Sequence, residues 1–179
     1  LDVTPKQVYD YTLAQLEALG EIVAGKDKIV HIKPHGAMYN QAAKNKDLAN
    51  AIVDAIIDYN KDLILLALSG SQMIDSAREK GVKYASEVFA DRAYEADGSL
   101  RARKLENSMI TDEDLAVERV IKMVQTGKVT AYTGEEIDIE AHSVCVHGDS
   151  EKAFVFVQKL NEAFIKNGIE TVGLIEAIK

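Results

Sequence analysis

The chain has 179 residues, 47% hydrophobic and 28% charged, a make-up that suits one globular domain rather than two. Its net charge of −8 argues against a nucleic-acid phosphate surface, which needs clustered Lys and Arg, and no apolar run reaches the ~18 residues of a membrane-spanning helix. The single cysteine, Cys145, excludes an internal disulfide framework and a cysteine-based zinc site. With no charged-then-apolar leader in view, the expected compartment is the cytoplasm.

Thr4-Pro5-Lys6-Gln7 predicts a helix start, with Thr4 as N-cap, Pro5 at the first helical position and Gln7 closing a capping box. Tyr9, Leu13, Leu16, Leu19 and Val23 then form one apolar stripe. A strand from Ile29 to Ile32 follows, and after Asp47 a helix turns Leu48, Ile52, Ala55, Ile56 and Tyr59 inward. Leu63 to Leu68 has no polar residue on either face, as in a parallel strand covered by helices on both sides. Ser71 opens a shorter helix with Ile74 and Ala77 inward and Gly81 as its stop.

Tyr84 to Phe89 reads as a third strand. The polar, aperiodic stretch from Ala90 to Ser108 has the length of a lid or binding loop, with a turn at Ala96-Asp97-Gly98 and a basic run, Arg101, Arg103 and Lys104, read as a solvated edge. Thr111 opens a helix with Val117, Ile121 and Val124 inward and Gly127 at its end. A turn at Thr133-Gly134-Glu135 precedes a fourth strand, Ser143 to Val146. Ser150 opens the last helix, with Ala153, Val157, Leu160 and Phe164 inward. The repeated order of strand, loop and helix makes residues 1–179 a single α/β domain.

The polar residues of chemical interest follow strand ends: Lys33 and His35 after the first, Ser69 after the second, Glu87, Asp91 and Arg92 at the third, His147 and Asp149 after the fourth. Binding sites of parallel α/β folds form at that edge, where loops from several strands converge. His35, Glu87, Asp91, His147 and Asp149 are the acid–base candidates. Arg92 is the cation for a substrate carboxylate, Lys33 can supply the same charge or polarise a carbonyl oxygen, and the Tyr39 hydroxyl and Ser69 are candidates to reach a substrate. His35, His147 and Asp149 are also candidates for a divalent metal. His31, alternating with Val30 and Ile32, is expected to face a helix layer, His142 to be exposed, and Cys145 to be a small core residue.

Three segments, His31-Ile32-Lys33-Pro34-His35-Gly36-Ala37-Met38-Tyr39-Asn40, Ser86-Glu87-Val88-Phe89-Ala90-Asp91-Arg92-Ala93-Tyr94 with Asp97-Gly98-Ser99-Leu100 and Arg103, and Val144-Cys145-Val146-His147-Gly148-Asp149, closely resemble the LamB/YcsF family. The resemblance implies a parallel β/α-barrel with a deacetylase-like layout. It also implies a subunit of a bacterial ATP-dependent 5-oxoprolinase that acts with partner subunits B and C and converts 5-oxoproline to L-glutamate. The family's opening Asn-Ala-Asp-Leu-Gly-Glu-type strand, its Gly-Phe-His-Ala-Gly-Asp-type turn and its Gly-Ala-His-Pro-type segment do not occur in this sequence. An incomplete barrel without its N-terminal strands, roughly the C-terminal two-thirds of the family domain, is therefore expected. The competing readings are a metal-dependent carbohydrate or amide hydrolase and a non-catalytic scaffold subunit.

Overall fold

A computed structural model describes residues 2–148 and 153–179. In chain order the elements are α1 (Pro5–Ile22), a 3-10 turn (Lys26–Lys28), β1 (His31–Ile32), α2 (Gly36–Ala42), α3 (Lys46–Asn60), β2 (Ile64–Leu68), α4 (Gln72–Lys80), β3 (Tyr84–Phe89), α5 (Glu113–Thr126), β4 (Lys128–Thr130), β5 (Glu136–Asp138), β6 (Ser143–Cys145), α6 (Ala153–Lys166) and α7 (Leu174–Ala177). The chain divides into two compact units, Leu1–Ser86 and Glu87–Lys179. Strands β1, β2, β3 and β6 follow one another in that order in a sheet, and β3 begins in the first unit and ends in the second. The α/β class with parallel strand pairing is as the sequence predicts.

In the first unit, the capping box of α1 forms as its residues dictate. Thr4 Oγ1 accepts from the Gln7 backbone N–H at 3.3 Å, and Gln7 Oε1 accepts from the Thr4 N–H at 2.9 Å. The buried stripe, however, is Val8, Thr12, Leu16 and Gly20, one position away from most of the predicted one. Small residues set the closest approach of α1 to α3: a Cβ on Gly20 would collide with the Tyr59 side chain. Tyr9 sits on the rim instead and donates its hydroxyl to Asp58 at 2.6 Å. Asn45 caps α3, its side chain accepting from the Asp47 and Leu48 N–H groups, and Leu48, Ile52, Ala55 and Ile56 are buried as predicted.

All five residues of β2 are buried. This strand pairs in parallel with β1, His31 opposite Ile64 and Ile32 opposite Leu65. Helix α4 starts and stops where the sequence says. Ser71 Oγ accepts from Ile74 N–H, and Gly81 ends the helix at φ +70°, a left-handed conformation in which a side chain would be strained.

In the second unit, the end of β3 pairs in parallel with β6, Glu87 opposite Ser143 and Phe89 opposite Cys145. Cys145, expected in the core, is half-buried. Asp112 rather than Thr111 caps α5, accepting from the Asp114 and Leu115 N–H groups at 3.0 Å. Its buried positions are Ala116, Val120 and Met123, again one step from the predicted set. The antiparallel pair β4–β5 is a finding that hydrophobic periodicity does not announce, because each strand has three residues and exposes both of its ends. Helix α6 buries Phe156, Leu160 and Phe164, whereas Val157 is 40% exposed. The predicted Ser150 start lies outside the described residues. Among those described, no helix is long and apolar enough to cross a membrane.

Candidate functional site

The long segment after β3 is an ordered structure. Its backbone folds back on itself through Ile110 N–H to Asp91 O (2.8 Å), Ala93 N–H to Ser108 O (3.0 Å) and Arg101 N–H to Ala93 O (2.9 Å). At its base Tyr94 is fully buried, and its hydroxyl accepts from the Phe89 N–H at 2.8 Å. Burial lifts the Tyr94 hydroxyl far above the ordinary tyrosine range, so it is neutral around pH 7. Tyr94→Phe removes the acceptor and is expected to cost about 1–3 kcal/mol, read as a lower urea midpoint. An unchanged midpoint would show that this bond does not anchor the segment.

Arginines divide the labour in this loop. Arg92 is buried, its Nη2 donating to Arg101 O at 2.6 Å and its Nε to Ser108 O at 3.4 Å. The predicted substrate cation is thus engaged by loop carbonyls. Arg101 pairs with Glu95 at 2.8 Å and lies 3.5 Å over the Tyr132 ring, so this part of the basic run is not a free solvated edge. Arg103, expected on the same edge, places Nη2 3.1 Å from His147 Nε2.

Asp91 and His147, both predicted, come together. Asp91 Oδ2 is 2.7 Å from His147 Nδ1. A guanidinium has donors only, so the Nε2 facing Arg103 must accept, and Nδ1–H donates to the carboxylate. Phe89 stacks on the imidazole at 5.8 Å between ring centroids and limits its rotation. The other carboxylate oxygen, Asp91 Oδ1, is buried without a hydrogen-bond partner among the described residues. Asp91 and His147 open on a cavity of about 300 Å³ with Ile110, Thr111, Glu113, Val146 and Phe156. The result is an imidazole of fixed tautomer, its Nδ1–H held by a carboxylate and its Nε2 facing an exposed guanidinium, an arrangement able to accept a proton at Nε2 when that guanidinium moves aside.

The other predicted residues are distributed as follows. Glu87 is 2% exposed within β3. Asp149 lies outside the described residues. Among the described residues, no group of three or more His, Cys, Asp or Glu is gathered as a metal site. Of the candidate metal set, His35 belongs to the first unit and His147 to the second.

In the first unit, Lys33 and His35 line one groove of about 480 Å³, and His31 joins them. His31 was expected against a helix layer, but it is exposed, because the groove between β1 and α1 leaves that face of the strand open. Lys33 Nζ lies 5.8 Å from the centroid of the Tyr39 ring, and that ring is buried. Ser69 is buried directly after β2, while the Ser71 hydroxyl is taken up as the cap of α4. His142 lies 3.8 Å from Glu140 and is half-buried rather than exposed.

Comparison with known proteins agrees with this architecture. The A subunit of 5-oxoprolinase from Fusobacterium nucleatum subsp. nucleatum is 49% identical over 178 residues, covering 99% of this chain and 69% of that protein. The protein of the same name from Clostridium beijerinckii is 49% identical over 175 residues, covering 97% and 69%. The crystal structure of a lactam utilization protein from Thermus thermophilus superimposes with a TM-score of 0.82 at 32% identity, over 96% of this chain and 68% of that one. The profile of the LamB/YcsF family matches residues 1–179, and the chain belongs to that family.

Proposed function

We propose that the chain is the A component of a cytoplasmic, ATP-dependent 5-oxoprolinase that works with subunits B and C to open 5-oxoproline to L-glutamate. The names of its relatives support the substrate class. Within the chain, the observation that carries the reading is the Asp91–His147 pair, 2.7 Å apart, with Nε2 oriented as an acceptor.

The lactam is an unreactive amide, so its oxygen must first be turned into a leaving group. Transfer of the γ-phosphoryl group of ATP to that oxygen releases ADP and makes the ring carbon electrophilic. Water displaces the exposed Arg103 N–H from His147 Nε2 and adds to the carbon while the freed Nε2 takes its proton. The ring C–N bond breaks, the nitrogen leaves as the amine with the proton His147 returns, and glutamyl phosphate remains. A second water releases phosphate and glutamate. Arg103 faces the charge that develops on oxygen, and Arg92 holds the loop that carries Arg103. Glu87 and Asp149 complete the acid–base set, with Lys33, His35, Tyr39 and Ser69 serving the anionic groups of the substrates. A divalent cation accompanies the nucleotide.

The test is glutamate release by this chain combined with subunits B and C. Release is expected to require both ATP and 5-oxoproline, with one ADP formed per glutamate. Hydrolysis that needs no ATP but stops on chelation would instead mark a metal-dependent hydrolase. No glutamate from the assembled complex would refute the proposal.

A further inference from the structure

We infer that the groove of the first unit seats the phosphate chain of a nucleoside triphosphate, an inference that rests on the ATP-dependent function proposed above. His31, Lys33 and His35 occupy alternate positions along β1 and its continuation. Lys33 precedes Pro34, which favours extended backbone, and His35 is extended at φ −131° and ψ 154°. An extended chain sends alternate side chains to one side, and all three line the same groove, with Ile32 and Pro34 between them also on its wall. Successive basic groups leave the backbone roughly 6–7 Å apart. That spread matches an elongated polyanion, whereas a single carboxylate needs one cation or one guanidinium fork.

Charge and shape point the same way. No Asp or Glu is among the described residues lining the groove, although the chain carries a net charge of −8. The opposite wall comes from α1, where Tyr11 and Leu19 are 55% and 44% exposed and offer a flat apolar surface to a base. Beside them Gln15 donates Nε2–H to Tyr11 O at 2.9 Å, which turns its amide oxygen into the acceptor for an exocyclic amine. At about 480 Å³ the groove falls in the range of pockets for drug-sized ligands, about 300–1,000 Å³. A five-membered lactam acid would leave most of it empty.

The experiment titrates MgATP, inorganic triphosphate and 5-oxoproline calorimetrically into the chain assembled with its partner subunits, using the parent and the His31→Ala, His35→Ala and Tyr11→Ala variants. These side chains are exposed, and circular dichroism checks that each variant folds. Each histidine variant is expected to weaken MgATP binding by about tenfold or more. Tyr11→Ala should weaken MgATP but not inorganic triphosphate, and His31→Ala should leave 5-oxoproline affinity unchanged. Absence of MgATP binding, or MgATP affinity unchanged in all three variants, overturns the inference. Equal loss of 5-oxoproline affinity on His31→Ala also overturns it, by making the groove the lactam's carboxylate site. Glutamate release by the complex with MgATP affinity insensitive to these residues removes the groove and leaves the function standing. MgATP binding with the expected residue dependence but no glutamate release supports the groove and removes the function.

Discussion

His147→Ala is expected to lower kcat for glutamate release by about 10²–10⁴-fold, the usual contribution of a positioned proton-transfer group. The ring is held on both nitrogens, by Asp91 at 2.7 Å and Arg103 at 3.1 Å, and on its face by Phe89. Alanine leaves Asp91 without its partner, so local rearrangement contributes to the loss. His147→Gln separates the two effects, because its amide can still donate to Asp91 but carries no basic nitrogen. Both variants are expected to be slow, with His147→Gln melting close to the parent. Turnover within a few-fold of the parent in both would mean that the subunit only presents a surface to its partners.

Leu65→Ala is expected to cost about 2–5 kcal/mol, the range for a fully buried large-to-small change. Leu65 is 0% exposed in a strand with every residue buried. It stands opposite Ile32 of β1, and its N–H donates to Lys83 O at 2.8 Å. Truncation therefore leaves a cavity between layers whose backbones are fixed by strand pairing. Leu65→Met, which conserves volume, should cost less than about 1.5 kcal/mol. Chemical denaturation midpoints measure both, and an unchanged midpoint for Leu65→Ala would show that β2 is not a core strand.

What the sequence discloses is local and chemical. The Thr4–Gln7 capping box, the Ser71 start and Gly81 stop, and the apolar run ending at Leu68 each specify structure through bonds or burial within a few residues, and each forms as expected. The helix stripes of α1 and α5 slip by one position because large apolar residues were read as the inward ones. The actual interfaces are set by Thr12, Gly20 and Ala116, whose small size lets another element approach. The hairpin of β4 and β5 is held mostly by pairing between polar strands, so it leaves no hydrophobic signature.

The site shows the same limit. Residue identity names both Asp91 and His147 as candidates, and the fold brings their side chains to 2.7 Å. Identity alone could not say which arginine would face them, since Arg92 and Arg103 differ only in where the folded loop sends their guanidinium groups. The resemblance offered the one available signal, because Arg103 belongs to the matching segment. His31 shows a related limit: alternation reveals two faces of a strand but not which one is left uncovered.

The central claim is that His147 is held as a base by Asp91, and the most direct measurement is the tautomer of its imidazole by long-range ¹H–¹⁵N correlation NMR. The neutral ring should show a protonated Nδ1 and an unprotonated Nε2 in the parent, and a mixture of tautomers in Asp91→Asn. A neutral ring protonated at Nε2 in the parent would contradict the account.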